Sequence, residues 1–133
     1  DKRTFPLLSL LYPGMDFRNE FHVDHVFPRR RFVKQHLAKA RVSESESDTF
    51  GLLSNQLPNL QLLEGPFNVA KQDKLPTNWM VEHFPDQFAR DTYRNRHDLW
   101  DIPDDIDEFQ TFFNARQSRM GKRLRAMLGV QPG

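Results

Sequence analysis

Two short segments of the chain have the pattern of β-strands, and a helix follows the second. Residues 21–27 alternate between apolar and polar side chains with a period near two, which predicts a strand that ends before Pro28. Residues 60–63 predict a second strand. Gly65 and Pro66 break that strand and predict a helix that continues through residue 71. The pattern therefore predicts one small β-ribbon followed by a helix.

Most of the remaining chain is predicted to be helical. Residues 4–12, 29–41, 49–56, 76–84 and 85–96 have helical patterns, whereas the polar residues 43–48 predict a mobile linker. The strongest helix prediction rests on apolar residues spaced by three, four and seven in the last segment: Ile106, Phe109, Phe113, Met120, Leu124 and Met127. This helix would be roughly 35 Å long. The predicted fold class is α+β, mostly helical around a two-stranded antiparallel ribbon.

The length and composition fit a single domain over residues 1–133. No apolar run approaches the ~20 residues that a helix needs to cross a bilayer, so no membrane partner is expected. Because the chain has no Cys, any metal must have oxygen or nitrogen ligands, and a reducing compartment such as the cytoplasm is expected. Since the first residue is Asp1 rather than Met, we expect the chain to be part of a longer protein.

Basic residues are concentrated in two stretches, although the formal net charge is only +1. Residues 29–41 contain six basic residues and residues 109–133 contain five, in both cases without an acidic one. Such a stripe can line a phosphate-binding face. Helices also carry charge on their solvated side, and for either stripe alone we favour this second interpretation.

Three short pieces carry chemical groups near the ends of the predicted ribbon. Asp24 and His25 stand near the end of the first strand, Asn59 precedes the second, and Asn68 lies in the first turn of the following helix. Together the pieces resemble the HNH nucleases, whose ββα-metal core has a catalytic His, a middle Asn and a metal-binding His or Asn in this order. The resemblance implies an HNH core built on the ribbon and this helix.

A closer resemblance is to the C-terminal nuclease domain of GmrSD-type restriction enzymes, and it is carried by residues 4–12, 21–25, 59–63 and 68–79. These are modification-dependent phage-defence nucleases of bacteria, in which a separate N-terminal nucleotide-hydrolysing domain senses altered DNA. The resemblance implies a core over about residues 21–80, a helical extension over about residues 85–130, a bacterial cytoplasmic location and that sensor domain as a partner. The 34 positions from His25 to Asn59 (59 minus 25) are long for the superfamily, so residues 29–57 are interpreted as an insertion.

The chemistry of these residues suits phosphodiester hydrolysis. The imidazole of His25 is a suitable general base at neutral pH. Asp24 and Asn68 offer the hard oxygen ligands that Mg²⁺, or Mn²⁺ in its place, accepts while keeping waters and room for a phosphate. The superfamily gives Asn59 a supporting role, in which its side chain ties the two strands together and orients the His ring.

Four basic residues are predicted to contact the phosphate backbone of DNA. Lys71 lies one turn beyond the Asn on the same predicted helix face. Arg29, Arg30 and Arg31 follow the catalytic His closely and would flank a phosphate bound there. The histidines outside the motif are expected to be structural or at the surface, and His97, beside an acidic run, is expected to be solvated.

Geometry makes one demand on this site. Adjacent residues of a regular strand point to opposite faces, so Asp24 and His25 can reach one phosphate only if strand pairing ends or bulges there. Pro28 favours such an end.

The expected function is a metal-dependent DNA endonuclease that nicks, because one site per chain cuts one strand. A competing interpretation is a catalytically inactive DNA-binding or protein-interaction module of a defence complex. A third is a helical scaffold in which the Asp-His pair occurs by chance. The residues leave open the base preference and the choice between DNA and RNA.

Overall fold

The computed structural model describes residues 1–16 and 18–129. The two strands are β1 (Phe21–His25) and β2 (Leu60–Glu64). The helices are α1 (Thr4–Leu11), α2 (Lys34–Lys39), α3 (Glu44–Leu53), α4 (Gly65–Lys71), α5 (Pro76–His83), α6 (Gln87–His97) and α7 (Phe109–Met127). The predicted α+β class and antiparallel ribbon are confirmed. Residue 130, where the predicted helical extension ends, lies outside the described residues.

The ribbon has a regular register up to the end of β1. Asp24 pairs with Gln61, and His25 pairs with Leu60. Because successive side chains alternate between faces, Asp24 and Gln61 lie on one face and His25 and Leu60 on the other. Helix α1 packs on the His25 face through buried leucines that include Leu8.

The main core lies on the Asp24 face and consists largely of aromatic rings. Phe27, directly after β1, contacts Phe109 of α7 with ring centroids 5.5 Å apart. Phe109, Phe113 and Met120 are buried, as the spacing of the last segment predicted. Met127, predicted for the same apolar face, is half exposed. Helix α7 has 19 residues, so at about 1.5 Å per residue it is shorter than predicted.

Helix α7 supports the start of β2 through a buried arginine. Arg116 has 0% exposure and donates to the carbonyls of Pro58 and Leu60, each at 2.8 Å, and to that of His97 at 2.9 Å. Its basic neighbour Arg119 pairs with two aspartates of the preceding loop. These two arginines of the second basic stripe therefore serve the fold, but the favoured interpretation of a solvated charged face is wrong for Arg116, which is buried.

Two predictions on the insertion between the strands are wrong. The single helix over residues 29–41 is a 3-10 turn (Arg29–Phe32) followed by α2, because Val33 between them is extended with φ −69° and ψ 145°. The predicted linker over residues 43–48 is the start of α3. Ser43 caps that helix by accepting from the Glu46 amide at 3.3 Å, and its hydroxyl donates to the Glu46 carboxylate at 2.9 Å.

His97 is buried, with 4% exposure, rather than solvated. It ends α6 and packs on Tyr93 with ring centroids 4.5 Å apart. Burial, reinforced by the charges of Arg116 and Arg96, lowers the pKa of His97 to about 3.

Within residues 1–16 and 18–129, every helix is too short or too polar to span a membrane.

Candidate active site

Two donors hold the Asp24 side chain on the face of the ribbon that meets helix α4. Gln61 Nε2, directly across the ribbon, donates to Asp24 Oδ2 at 2.9 Å. Lys71 Nζ lies 3.0 Å from the same oxygen. The Asp24 side chain keeps only 13% exposure, so its orientation is fixed by these contacts rather than by solvent.

Lys71 is buried beneath the ribbon at the end of α4. Its side chain has 1% exposure, and Nζ also donates to the backbone carbonyl of His25 at 2.6 Å. Burial lowers the pKa of Lys71, and the nearby Asp24 carboxylate partly offsets this effect. The prediction that Lys71 contacts a DNA phosphate does not fit this position, because the buried ammonium is paired with the Asp24 carboxylate.

Asn68 lies on the face of α4 that meets β1. Gly65, one turn before it, packs against the ring of His22, since a Cβ at Gly65 would lie 3.5 Å from Nε2. Lys71, one turn after it, bonds to Asp24. Residues three apart share a helix face, so the half-buried Asn68 occupies the middle of the α4 surface facing β1. His22 and Asp24, on one face of β1, both meet α4.

His25 lies on the opposite face of β1, at the last residue of the strand. Its Nε2 is 2.9 Å from Oδ1 of Asn55. The ring borders an open cleft of about 440 Å³, lined also by Thr4, Val23 and Arg29. Pairing continues regularly through His25, so no bulge turns it toward the Asp24 side. The two residues are therefore adjacent in the chain but directed to different sides of the strand end.

Asn59 is fully buried and joins the ends of the insertion. Its Oδ1 accepts from the Phe27 amide at 2.9 Å. Its Nδ2 donates to the carbonyls of Phe27 at 3.0 Å and Ser54 at 2.9 Å. Since its own carbonyl accepts from the Val26 amide at 2.7 Å, Asn59 connects the chain just after β1 to the start of β2. Its effect on the His25 ring stays a prediction.

The three arginines after the strand have different surroundings. Arg29 is exposed and lines the His25 cleft. Arg30 is exposed, with Nη1 3.7 Å from the Asp73 carboxylate. Arg31 is partly buried and donates to the Asp73 carbonyl at 2.8 Å. Of these three residues, Arg29 is the one placed beside the His25 cleft.

Asp24 on β1 and Asn68 on the α4 surface that faces β1 are residue types whose oxygens suit a magnesium ion. Asp24 supplies a carboxylate and Asn68 a carboxamide, and such an ion retains several waters when it has few protein ligands. Within residues 1–16 and 18–129 no group of three or more His, Asp or Glu side chains is arranged to hold a metal. A site made of one aspartate and one asparagine would not be such a group.

The structure adds three residues that the sequence analysis did not single out. Asn55 bonds to the ring of His25, Gln61 bonds to Asp24, and Tyr93 bonds to Gln61. Gln61 could have been found from the ribbon register, which places it opposite Asp24. Asn55 and Tyr93 have no sequence signal of this kind, because both reach the site through tertiary packing.

A scan of the sequence against protein-family models finds no match, and a search of curated proteins finds none either.

Proposed function

We propose that this chain is a metal-dependent DNA endonuclease that nicks one strand by phosphodiester hydrolysis. The observation that carries the proposal is the end of β1, where the His25 imidazole borders an open cleft and the preceding residue, Asp24, is held in place on the other face of the strand. On this proposal the phosphate is bound at the strand end, where the two faces meet. The sequence resemblance to the HNH nucleases supports the same assignment. On this proposal the chain is the effector domain of a bacterial, modification-dependent antiviral system with a nucleotide-hydrolysing sensor as its partner.

The residues divide the work of hydrolysis between them. His25 takes the proton from the attacking water, and Asn55 orients its ring. Asp24 and Asn68 would hold Mg²⁺ or Mn²⁺, and the ion would supply the positive charge that offsets the negative charge growing on the phosphate oxygens. Arg29, at the rim of the cleft, contacts the DNA backbone and brings a phosphate beside His25.

The test is the conversion of supercoiled plasmid to the open circle in Mg²⁺ or Mn²⁺. We expect His25→Ala and Asp24→Asn to reduce the nicking rate by at least about 100-fold, as expected for loss of a general base or a metal ligand. His36→Gln is the matched control, because that ring is held by the Arg30 carbonyl at 2.8 Å outside the cleft. Nicking that persists in excess chelator would contradict the metal requirement, and a structured RNA substrate tests the preference for DNA.

The competing proposal is an inactive DNA-binding or protein-interaction module. It is favoured by the regular strand at Asp24 and His25, which directs their side chains to opposite faces, and by the ammonium already paired with Asp24. This alternative predicts that the wild-type chain binds DNA but does not cleave it with any divalent ion. It also predicts that His25→Ala leaves DNA binding unchanged.

A further inference from the structure

A buried hydrogen-bond chain runs from helix α6 to Asp24. The hydroxyl of Tyr93 donates to Oε1 of Gln61 at 3.0 Å. Gln61 Nε2 in turn donates to Asp24 Oδ2 at 2.9 Å. Tyr93 and Gln61 have 6% and 1% exposure, so water does not compete for these bonds. These hydrogen bonds link helix α6, which lies beyond the part of the sequence that carries the family resemblance, to the proposed metal ligand Asp24.

The chemistry of the three groups allows one direction for this chain of bonds. A carboxylate only accepts, so the carboxamide of Gln61 must present its NH₂ group to Asp24. Its carbonyl oxygen then needs a donor, and the phenol of Tyr93 is that donor. Burial raises the pKa of Tyr93, which keeps the hydroxyl protonated. The ring itself is fixed by Phe84 and His97, with centroids 5.1 and 4.5 Å away.

Both donors to Asp24 use the same oxygen. Gln61 Nε2 and Lys71 Nζ lie 2.9 and 3.0 Å from Oδ2, and no bond to Oδ1 is found within the described residues. Two donors on one oxygen set the rotation of the carboxylate about its last bond. The other oxygen is thereby kept for a further partner.

We propose that Tyr93 and Gln61 are positioning residues that fix the Asp24 carboxylate so that Oδ1 is presented to the divalent cation. This inference rests on the proposed nuclease function and assigns α6 a role in it. Without the Tyr93 hydroxyl, the Gln61 carbonyl loses its buried donor, and the carboxamide no longer has one preferred orientation. Asp24 then loses a fixed partner while Lys71 remains.

The experiment compares two tyrosine variants of the full chain. Tyr93→Phe removes one oxygen and keeps the ring contacts. Tyr12→Phe is the matched control. The Tyr12 hydroxyl is also buried, but it donates to Asp98 Oδ2 at 3.2 Å and takes no part in the hydrogen bonds that reach Asp24. Mn²⁺ binding is measured by the loss of the free-ion electron paramagnetic resonance signal, and plasmid nicking is measured as a function of Mn²⁺ concentration.

We expect Tyr93→Phe to weaken Mn²⁺ binding about 10-fold, the lower end of the effect of removing an outer partner of a metal ligand. The Mn²⁺ concentration for half-maximal nicking should rise by the same factor, while the rate at saturating Mn²⁺ stays within about twofold of wild type. Gln61→Met should give a similar shift, and the double variant should add little to it, because both act through one chain of bonds.

The outcomes separate this inference from the proposed function. If wild type binds Mn²⁺ and nicks, but Tyr93→Phe matches Tyr12→Phe in both measurements, the positioning role is wrong and the nuclease proposal stands. If wild type neither binds Mn²⁺ nor nicks, the nuclease proposal is wrong and the positioning role fails with it. Urea denaturation of both phenylalanine variants shows whether a change in stability accounts for any difference between them.

Discussion

Lys71 Nζ lies 3.0 Å from Asp24 Oδ2, and this buried ion pair joins the end of helix α4 to strand β1. The same ammonium donates to the carbonyl of His25. One side chain therefore connects both residues of the Asp-His pair to the helix that carries Asn68. The site depends on this contact even though Lys71 itself does not reach solvent.

Replacing Lys71 with Met should lower the free energy of unfolding by about 3 kcal/mol, because a mostly buried carboxylate is left without its counter-charge. Urea denaturation at pH 7 measures the change. Lys74→Met is the matched control, since Lys74 pairs with exposed Glu82 at 2.8 Å and its loss should cost less than about 1 kcal/mol. Equal effects of the two substitutions would show that the Lys71 pair is not a major support of the fold.

Replacing Asn55 with Ala should separate activity from stability. Asn55 is exposed and bonds to His25 Nε2 at 2.9 Å, so its loss should change the free energy of unfolding by less than about 0.5 kcal/mol. Because the His25 ring loses its partner, the nicking rate should fall about 10-fold, as for other orienting contacts. Asn78→Ala, at an exposed position on α5, provides the comparison. A wild-type rate in Asn55→Ala would remove this residue from the mechanism.

Acid should destabilise the fold through His97, whose pKa is lowered to about 3 by burial. In the unfolded chain His97 takes up a proton near pH 6.5, whereas in the folded chain it stays neutral until about pH 3. The free energy of unfolding therefore falls as the pH drops from 6.5 toward 3. The slope is about 1.4 kcal/mol per pH unit, which gives a loss of roughly 2 kcal/mol at pH 5. Urea denaturation at pH 7.5 and pH 5 should show this loss in wild type.

His97→Phe should flatten this pH dependence, since the ring no longer titrates. His22→Gln is the comparison, because the side chain of His22 is about half exposed (46%). If His97→Phe and wild type lose the same stability between pH 7.5 and pH 5, other groups account for the acid effect.

Replacing Arg29 with Gln should weaken DNA binding in a salt-dependent way. A lost phosphate contact makes the slope of log K against log salt concentration shallower by about 0.9. Filter binding to duplex DNA between 50 and 200 mM salt measures this slope. Arg125→Gln removes an exposed arginine of the last helix and should leave the slope unchanged. An unchanged slope in Arg29→Gln would place the DNA on another surface.

The ribbon and the helix after it could be predicted from local sequence. Alternation over residues 21–27 and the Gly65-Pro66 break are short-range signals, and the strands and α4 appear where they indicate. The first strand ends two residues early, at His25, because Val26 and Phe27 leave the ribbon and enter the core. The start of α3 also had a local signal, because residues 43–46 have the Ser-x-x-Glu sequence of a capping box and Ser43 does accept from the Glu46 amide.

The polar contacts of the site could not be predicted in the same way. Tyr93 bonds to Gln61 across 32 positions, and Lys71 reaches Asp24 across 47 (71 minus 24). Charge patterning could not distinguish the buried Arg116 from a solvated arginine, because its partners are backbone carbonyls. Such contacts depend on how the elements pack, which no local pattern records.

Arg116 binds the carbonyls on both sides of Asn59, from a helix that begins 50 positions later (109 minus 59). A fragment that stops near residue 80 would contain every motif position and yet lack this clamp. Transplanting the ribbon and α4 into another scaffold would likewise leave two inward-facing carbonyls without their donor. The smallest portable unit of this molecule therefore extends to its final helix.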